Sequence, residues 1–203
     1  MYRKDKKREV YTIKAREEGY PARSVYKLKE INEKFHLIKK GYRVLDLGSA
    51  PGSWLKCISE IVGDRGTVTG VDLNELRIDL PKNAGFIQED IYQLGITELF
   101  SNTNGYDIIT SDMAPKTTGI ISADCGVIND LVYQTLLLAE KILVEKGSLI
   151  AKIFEGNDTR EIIKEAKINF KTVRIFRPKA TTKHSKEIYL IATGHHRPAE
   201  LGE

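Results

Sequence analysis

Two stretches of this 203-residue chain combine residue types that packing alone does not require. "GSLIAKIFEG" (147–156) reads as an interior strand of an α/β protein, yet Lys152 stands in its apolar run. A strand lysine taken alone is an edge residue, or one that snorkels its charge to water. "VLDLGSAPGSW" (44–54) is a strand running directly into a glycine-bearing turn and a helix, which is the layout of a cofactor loop. Beside such a loop, a lysine at a strand end can act as a base or orient a reacting hydroxyl.

The loop's composition narrows the cofactor. A nicotinamide-binding loop reads G-x-G-x-x-G, with a middle glycine that lets the backbone approach a pyrophosphate. Here the glycines are Gly48 and Gly52 only, and Pro51 removes a backbone N–H that could cradle phosphate. The loop suits a ligand without a diphosphate. Gly48 permits close backbone approach. Asp72, 24 residues on and ending the second strand, is placed to accept hydrogen bonds from both hydroxyls of a ribose. Asp90, ending the third strand, could accept from an adenine amino group. Each acid taken singly fits a helix N-cap equally well. Three successive strand ends carrying Gly or Asp favour a ligand, and S-adenosyl-L-methionine is the adenosine cofactor with a small charged tail that fits.

The elements that must position these residues alternate along the chain. "RVLDLG" (43–48), "GTVTGVDL" (66–73), "GFIQED" (85–90), "YDIITSD" (106–112), "GSLIAKIF" (147–154), "FKTVRIF" (170–176) and "EIYLIATG" (187–194) are rich in β-branched or aromatic residues. Helical spacing appears at Trp54, Leu55, Ile58, Ile61 and Val62, along a stripe from Leu131 to Leu143, and over 24–35 before the first strand. Strands alternating with helices predict an α/β, Rossmann-like fold with a mostly parallel sheet covered on both faces. Ligands then sit at the carboxyl ends of the strands.

Length fits one domain, with a basic N-terminal arm over 1–20 and a single catalytic domain over 21–203. No run approaches the roughly 18 apolar residues of a membrane span, and "MYRKDKKREVYTIK" lacks the apolar centre of a secretory signal, so a soluble cytoplasmic protein is expected, and a monomer. Cys57 and Cys125 have neither metal-ligand nor redox spacing, and no metal is expected. The net charge of +4 is unevenly spread. Residues 1–16 hold seven Lys/Arg against two acids, and 171–186 hold six against none. Two basic tracts on an otherwise acidic chain point to a polyanion, because phosphate contacts gain free energy from counterion release. Arg23, Lys179, Lys183 and Lys186 are the candidate RNA contacts. His184 fits either an RNA contact or a solvated loop, and His195 and His196 read as tail residues.

Taken together, "VYTIKAREEGYPARSVYKLKEI", "VLDLGSAPGSW", "SDMAPKTTG", "AKIFEG" and "KHSKEIYLIATG" resemble the FtsJ/RrmJ-like ribose 2′-O-methyltransferases of RNA, over nearly the whole chain. The resemblance implies a seven-stranded class I methyltransferase sheet with one antiparallel strand, S-adenosyl-L-methionine as donor, and a catalytic tetrad of Lys27, Asp112, Lys152 and Glu187. Carried over in the same way, the cofactor contacts are Gly48, Pro51, Gly52, Trp54, Asp72, Asp90 and Asp112. Two departures stand out. Pro21 and Ala22 replace a basic and a hydroxyl residue before Lys27, which bears on substrate contacts, and Ser49 and Ser53 replace a small Ala and Gly in the loop.

For this chemistry the enzyme must hold a ribose hydroxyl in line with an activated methyl group and dispose of its proton. The expected division of labour makes Lys152 the base or orienting group, has Asp112 and Glu187 position it, and gives Lys27 charge and a substrate contact. The target that the resemblance implies is a uridine of the large-subunit (23S) ribosomal RNA A-loop, met within the ribosomal subunit. A tRNA ribose, an mRNA cap and a non-catalytic RNA-binding or ribosome-assembly role are the alternatives. A Rossmann oxidoreductase is disfavoured by the missing middle glycine. Base methylation ranks low, since the fourth strand is followed by "SDMAP", not by an Asn/Asp-Pro-Pro-aromatic turn.

Overall fold

The computed structural model describes residues 6–100, 104–114, 121–156, 158–182 and 185–197. In chain order the elements are α1 (Lys6–Glu17), α2 (Val25–Phe35), β1 (Arg43–Leu47), α3 (Ser53–Val62), β2 (Thr67–Asp72), β3 (Ala84–Gln88), α4 (Ile96–Phe100), β4 (Tyr106–Ser111), α5 (Ile121–Ile142), β5 (Leu143–Phe154), α6 (Thr159–Asn169), β6 (Phe170–Phe176) and β7 (Glu187–His195). The strands form one sheet in the order β3-β2-β1-β4-β5-β7-β6. β7 is antiparallel to both β5 and β6, and the other pairings are parallel, as expected for this Rossmann-like class. Among the described residues, no helix is long and apolar enough to cross a membrane.

The alternation of side chains along each strand sorts the core into two layers. Leu45 and Leu47 of β1, Ile109 of β4, Leu149, Ala151 and Ile153 of β5, and Leu190 and Ala192 of β7 face α5 and α6. Val44, Ile108, Ile150, Tyr189 and Ile191 face the other way, against α2 and α3. The same parity puts Asp112, Lys152 and Glu187 on the α2/α3 side. Register completes the placement, since Lys152 pairs with Tyr189 and Phe154 with Glu187 across the antiparallel β5–β7 ladder. α2 covers this corner, burying Val25, Lys27, Leu28 and Ile31 on one stripe.

Four expectations change in detail. The stretch 1–20, expected as a basic arm, is helical from Lys6, with Ala15 and Tyr20 buried and Tyr11 packed 5.1 Å from the Tyr26 ring. Apolar residues four apart give that helix a face to bury despite its charge. β3 stops at Gln88, so Asp90 lies two residues past the strand, in a turn closed by Gln93 N–H to Asp90 O at 2.9 Å. Leu143, at the end of the expected helical stripe, instead begins β5. A register shift between Tyr106 and Ile108, with Lys146 at φ +64, lets it keep its core contacts in an extended backbone. His195 is the last residue of β7, not tail. It is buried, with Nδ1 3.1 Å from Val144 O, and burial lowers its pKa.

Candidate active site

Two lysines and two acids meet where β4, β5 and β7 approach α2. Lys152 Nζ donates to the Asp112 backbone carbonyl at 2.6 Å and lies 3.1 Å from Asp112 Oδ1. Lys27 Nζ donates to Glu187 Oε2 at 2.8 Å. The site is therefore two lysine–carboxylate pairs, and Lys152 is held by Asp112 whereas Glu187 serves Lys27. This differs from the expectation that both acids position Lys152. The lysines are only 7% and 5% exposed, at 27 and 152 respectively, which is costly for charged groups without partners. Replacing such pairs by apolar residues is often neutral or stabilising, so their presence argues for a task other than stability.

Tyr189 joins the pairs. Its hydroxyl donates to Asp112 Oδ1 at 2.8 Å, its ring stacks on Trp54 at 5.9 Å, and Lys27 Nζ lies 5.9 Å from the ring centroid. Burial, with the Asp112 charge beside it, pushes the phenol well above its ordinary pKa, so it stays a donor. Burial alone would raise the Asp112 carboxyl. The charges of Lys152 and Lys27, with the Tyr189 and Lys152 hydrogen bonds, outweigh it and hold the group below its ordinary value. The sequence reading missed Tyr189, although Glu187, Tyr189 and Ile191 alternate onto one face and that period could have shown it.

The loop after β1 borders the same corner. Gly48 has φ +74, and a Cβ there would lie 2.8 Å from the Met113 backbone nitrogen, so the close approach it permits is to the segment after β4. Gly52 has φ +112, and a Cβ would meet Ile78 at 2.6 Å. The Ala50–Pro51 peptide is cis, and Pro51 O accepts from Arg77 N–H at 3.0 Å. Beside the loop, at the carboxyl ends of β1 to β3, opens a cleft of about 620 Å³ lined by Ala50, Pro51, Leu73, Asn74, Arg77 and Gln88.

Asp72 ends β2, but its carboxylate is already engaged: Oδ2 accepts from Ala50 N–H at 3.0 Å, and Oδ1 accepts both the backbone N–H and the side-chain amide of Asn74, at 2.8 and 3.0 Å. With two lone pairs per oxygen, one acceptor position is left on Oδ2. Both hydroxyls of a ribose can bind only if Asn74 yields. Asp90 Oδ1 accepts Tyr92 N–H at 3.0 Å, a local turn bond in place of the helix N-cap that was its alternative role. Trp54 is 2% exposed, donates Nε1–H to Ser24 O, just before α2, at 3.0 Å, and stacks on Tyr189 of β7.

Among the expected RNA contacts, Lys179 and Lys186 are exposed and Arg23 is half-buried, while Lys183, like His184, lies outside the described residues. Cys57 is buried, and burial pushes its thiol up to about 11, which leaves no reactive thiolate. The Cys125 side chain lies outside the described residues.

Sheet order, antiparallel β7 and a loop-bordered cleft at the strand ends define a class, the Rossmann-like methyltransferases. Aeropyrum pernix fibrillarin, solved with bound S-adenosyl-L-methionine, shares the fold at a TM-score of 0.59 and 18% identity, over 83% of this chain and 76% of that one. A ribosomal RNA methyltransferase from Plasmodium falciparum is closer, with a TM-score of 0.74 and 27% identity over 87% of this chain and 98% of its own. Residues 20–195 match the FtsJ-like methyltransferase family, and the chain belongs to that family. It is 41% identical over 200 residues to Ribosomal RNA large subunit methyltransferase E of Oleidesulfovibrio alaskensis, covering 98% of this chain and 97% of the relative. The protein of that name from Lawsonia intracellularis is 42% identical over 192 residues, 94% of this chain and 96% of its own.

Proposed function

We propose that this chain methylates a ribose 2′-hydroxyl of large-subunit ribosomal RNA, with S-adenosyl-L-methionine as donor and a uridine of the A-loop as target. The observation that carries the reading is the buried assembly of Lys152 with Asp112 and Lys27 with Glu187 beside the β1 loop. The two bacterial relatives named Ribosomal RNA large subunit methyltransferase E support the choice of RNA.

The remaining acceptor position on Asp72 and the cleft that Pro51 lines suit an adenosine group, and Gly48, Pro51, Gly52, Trp54, Asp72, Asp90 and Asp112 are the residues that would hold the cofactor. When bound, it supplies a methyl group already activated by a sulfonium. Lys152 then orients the attacking hydroxyl and serves as the base that takes its proton. Asp112 holds that amine by two contacts from one residue, so its direction is fixed before substrate arrives, and Tyr189 fixes the carboxylate in turn. Lys27, steadied by Glu187, contributes positive charge beside the substrate. Exposed Lys179 and Lys186, with Arg23, contact RNA phosphates.

Lys152→Ala should abolish methyl transfer while cofactor affinity, measured by calorimetry, stays within about twofold, because proton transfer and positioning are lost and the cleft is untouched. Turnover near that of the unmodified protein would remove Lys152 from the mechanism.

A further inference from the structure

Glu30 lies one helical turn from Lys27 on α2, and no step above uses it. Its carboxylate accepts two consecutive backbone N–H groups from the β6–β7 connection, Lys179 at 2.6 Å and Ala180 at 2.9 Å. These belong to a turn closed by Thr181 N–H to Pro178 O at 3.0 Å, with Pro178 and Ala180 buried. Successive amides aimed at one point form an anion-binding concavity, here filled by the protein's own carboxylate. Phe35 and Phe176 pack edge to face at 5.4 Å before the turn. After it, Glu155 N–H donates to Lys186 O at 2.8 Å, and the next residue, Glu187, reaches Lys27. The connection is thus tied to α2 at both ends, by Glu30 and by Lys27.

We propose that Glu30 is a positioning residue for RNA, holding the 178–181 turn on α2 so that the basic connection presents Lys179 and Lys186 in the register that pairs Glu187 with Lys27. The proposal rests on the RNA methyltransferase reading above. It has a sign that simple electrostatics does not share. A carboxylate inside a basic tract repels phosphate, so removing its charge should tighten RNA binding if charge is all it contributes. If it positions the turn, removing it should weaken RNA binding, because the lost hydrogen bonds are charge-assisted ones.

Glu30→Gln in the full chain separates the two. Hydrogen exchange at the Lys179 and Ala180 amides should lose roughly tenfold or more in protection, the size of one charge-assisted hydrogen bond. The dissociation constant and KM for large-subunit ribosomal RNA should rise roughly tenfold by the same reasoning, with cofactor affinity little changed. Glu30→Asp, which keeps the charge and a mild geometry, should recover part of both effects and serves as the test if the Gln variant does not fold. Tighter or unchanged RNA binding, or amides that stay protected, would overturn the proposal. If the unmodified protein does not bind ribosomal RNA at all, the functional reading fails on its own, and amide protection still decides whether Glu30 holds the turn.

Discussion

Asp46 is fully buried in β1, with Oδ1 accepting the Thr110 hydroxyl at 2.7 Å and Oδ2 without a partner among the described residues. Burial, with smaller help from the charges of Asp112 and Asp72, pushes its carboxyl up to about 8 against the Thr110 hydrogen bond. The unfolded chain releases that proton near pH 4, so the folded state holds it alone between about pH 4 and about 8, and stability from this group falls as pH rises through that window. Asp46→Asn has no proton to lose. Its melting temperature should therefore gain on that of the unmodified protein as pH goes from about 5 to about 8, and a constant difference would show that Asp46 is already ionised at the lower end. Tyr189→Phe removes one hydrogen bond to a carboxylate and should cost about 1.5–3 kcal/mol in urea unfolding. At this scale the sequence reading reached Lys27, Asp112, Lys152 and Glu187 through motif resemblance, because each sits in a quoted run. It missed who pairs with whom, since pairing depends on how α2 lies across the sheet. It also assigned Asp72 two ribose hydroxyls because Asn74's competition for Oδ1 is a turn geometry, not a spacing.

The β1 loop, α2 and β7 are the elements that bring the residues together. Their junctions are tight: Ala22 N–H donates to Ser53 Oγ at 2.7 Å, so the segment before α2 is bonded to the start of α3. Gly48 is where the β1 loop meets the backbone after β4, rather than a side chain that can give way. Gly48→Ala imposes a Cβ at φ +74, 2.8 Å from the Met113 backbone, and should destabilise the fold by about 2–4 kcal/mol and weaken cofactor binding with it. A variant of unchanged stability by chemical unfolding would mean that the loop and the segment after β4 separate freely. Strand order was legible from alternation, and α2, α3 and part of α5 from stripes such as Trp54 to Val62, whereas α1, α4 and α6 were not read. The start of β5 was not, because Leu143 continues a helical stripe in sequence while the backbone turns extended, and the bend at Lys146 has no signal beyond the following Gly147.

Across the whole molecule, basic residues gather in two tracts while the remainder is acidic. Helix α1 and the β6–β7 connection both pack on α2, the first through Tyr11 and Tyr26 and the second through Phe176 and Glu30. The described parts of both tracts thus flank the helix that supplies Lys27, a relation that composition suggested only as two separate charge runs. Neutralising Lys179 and Lys186 together should lower the slope of log binding constant against log salt by about 1.5, and an unchanged slope would remove the connection from the RNA interface. The proposed activity is defined by its product. Incubating the purified protein with S-adenosyl-L-methionine and unmodified large-subunit ribosomal RNA or subunits, then mapping the modified nucleoside by mass spectrometry, tests it most directly. The expected product carries one methyl group on a ribose 2′-oxygen, at a uridine of the A-loop. A methyl group on a base, or none on either substrate, would contradict it.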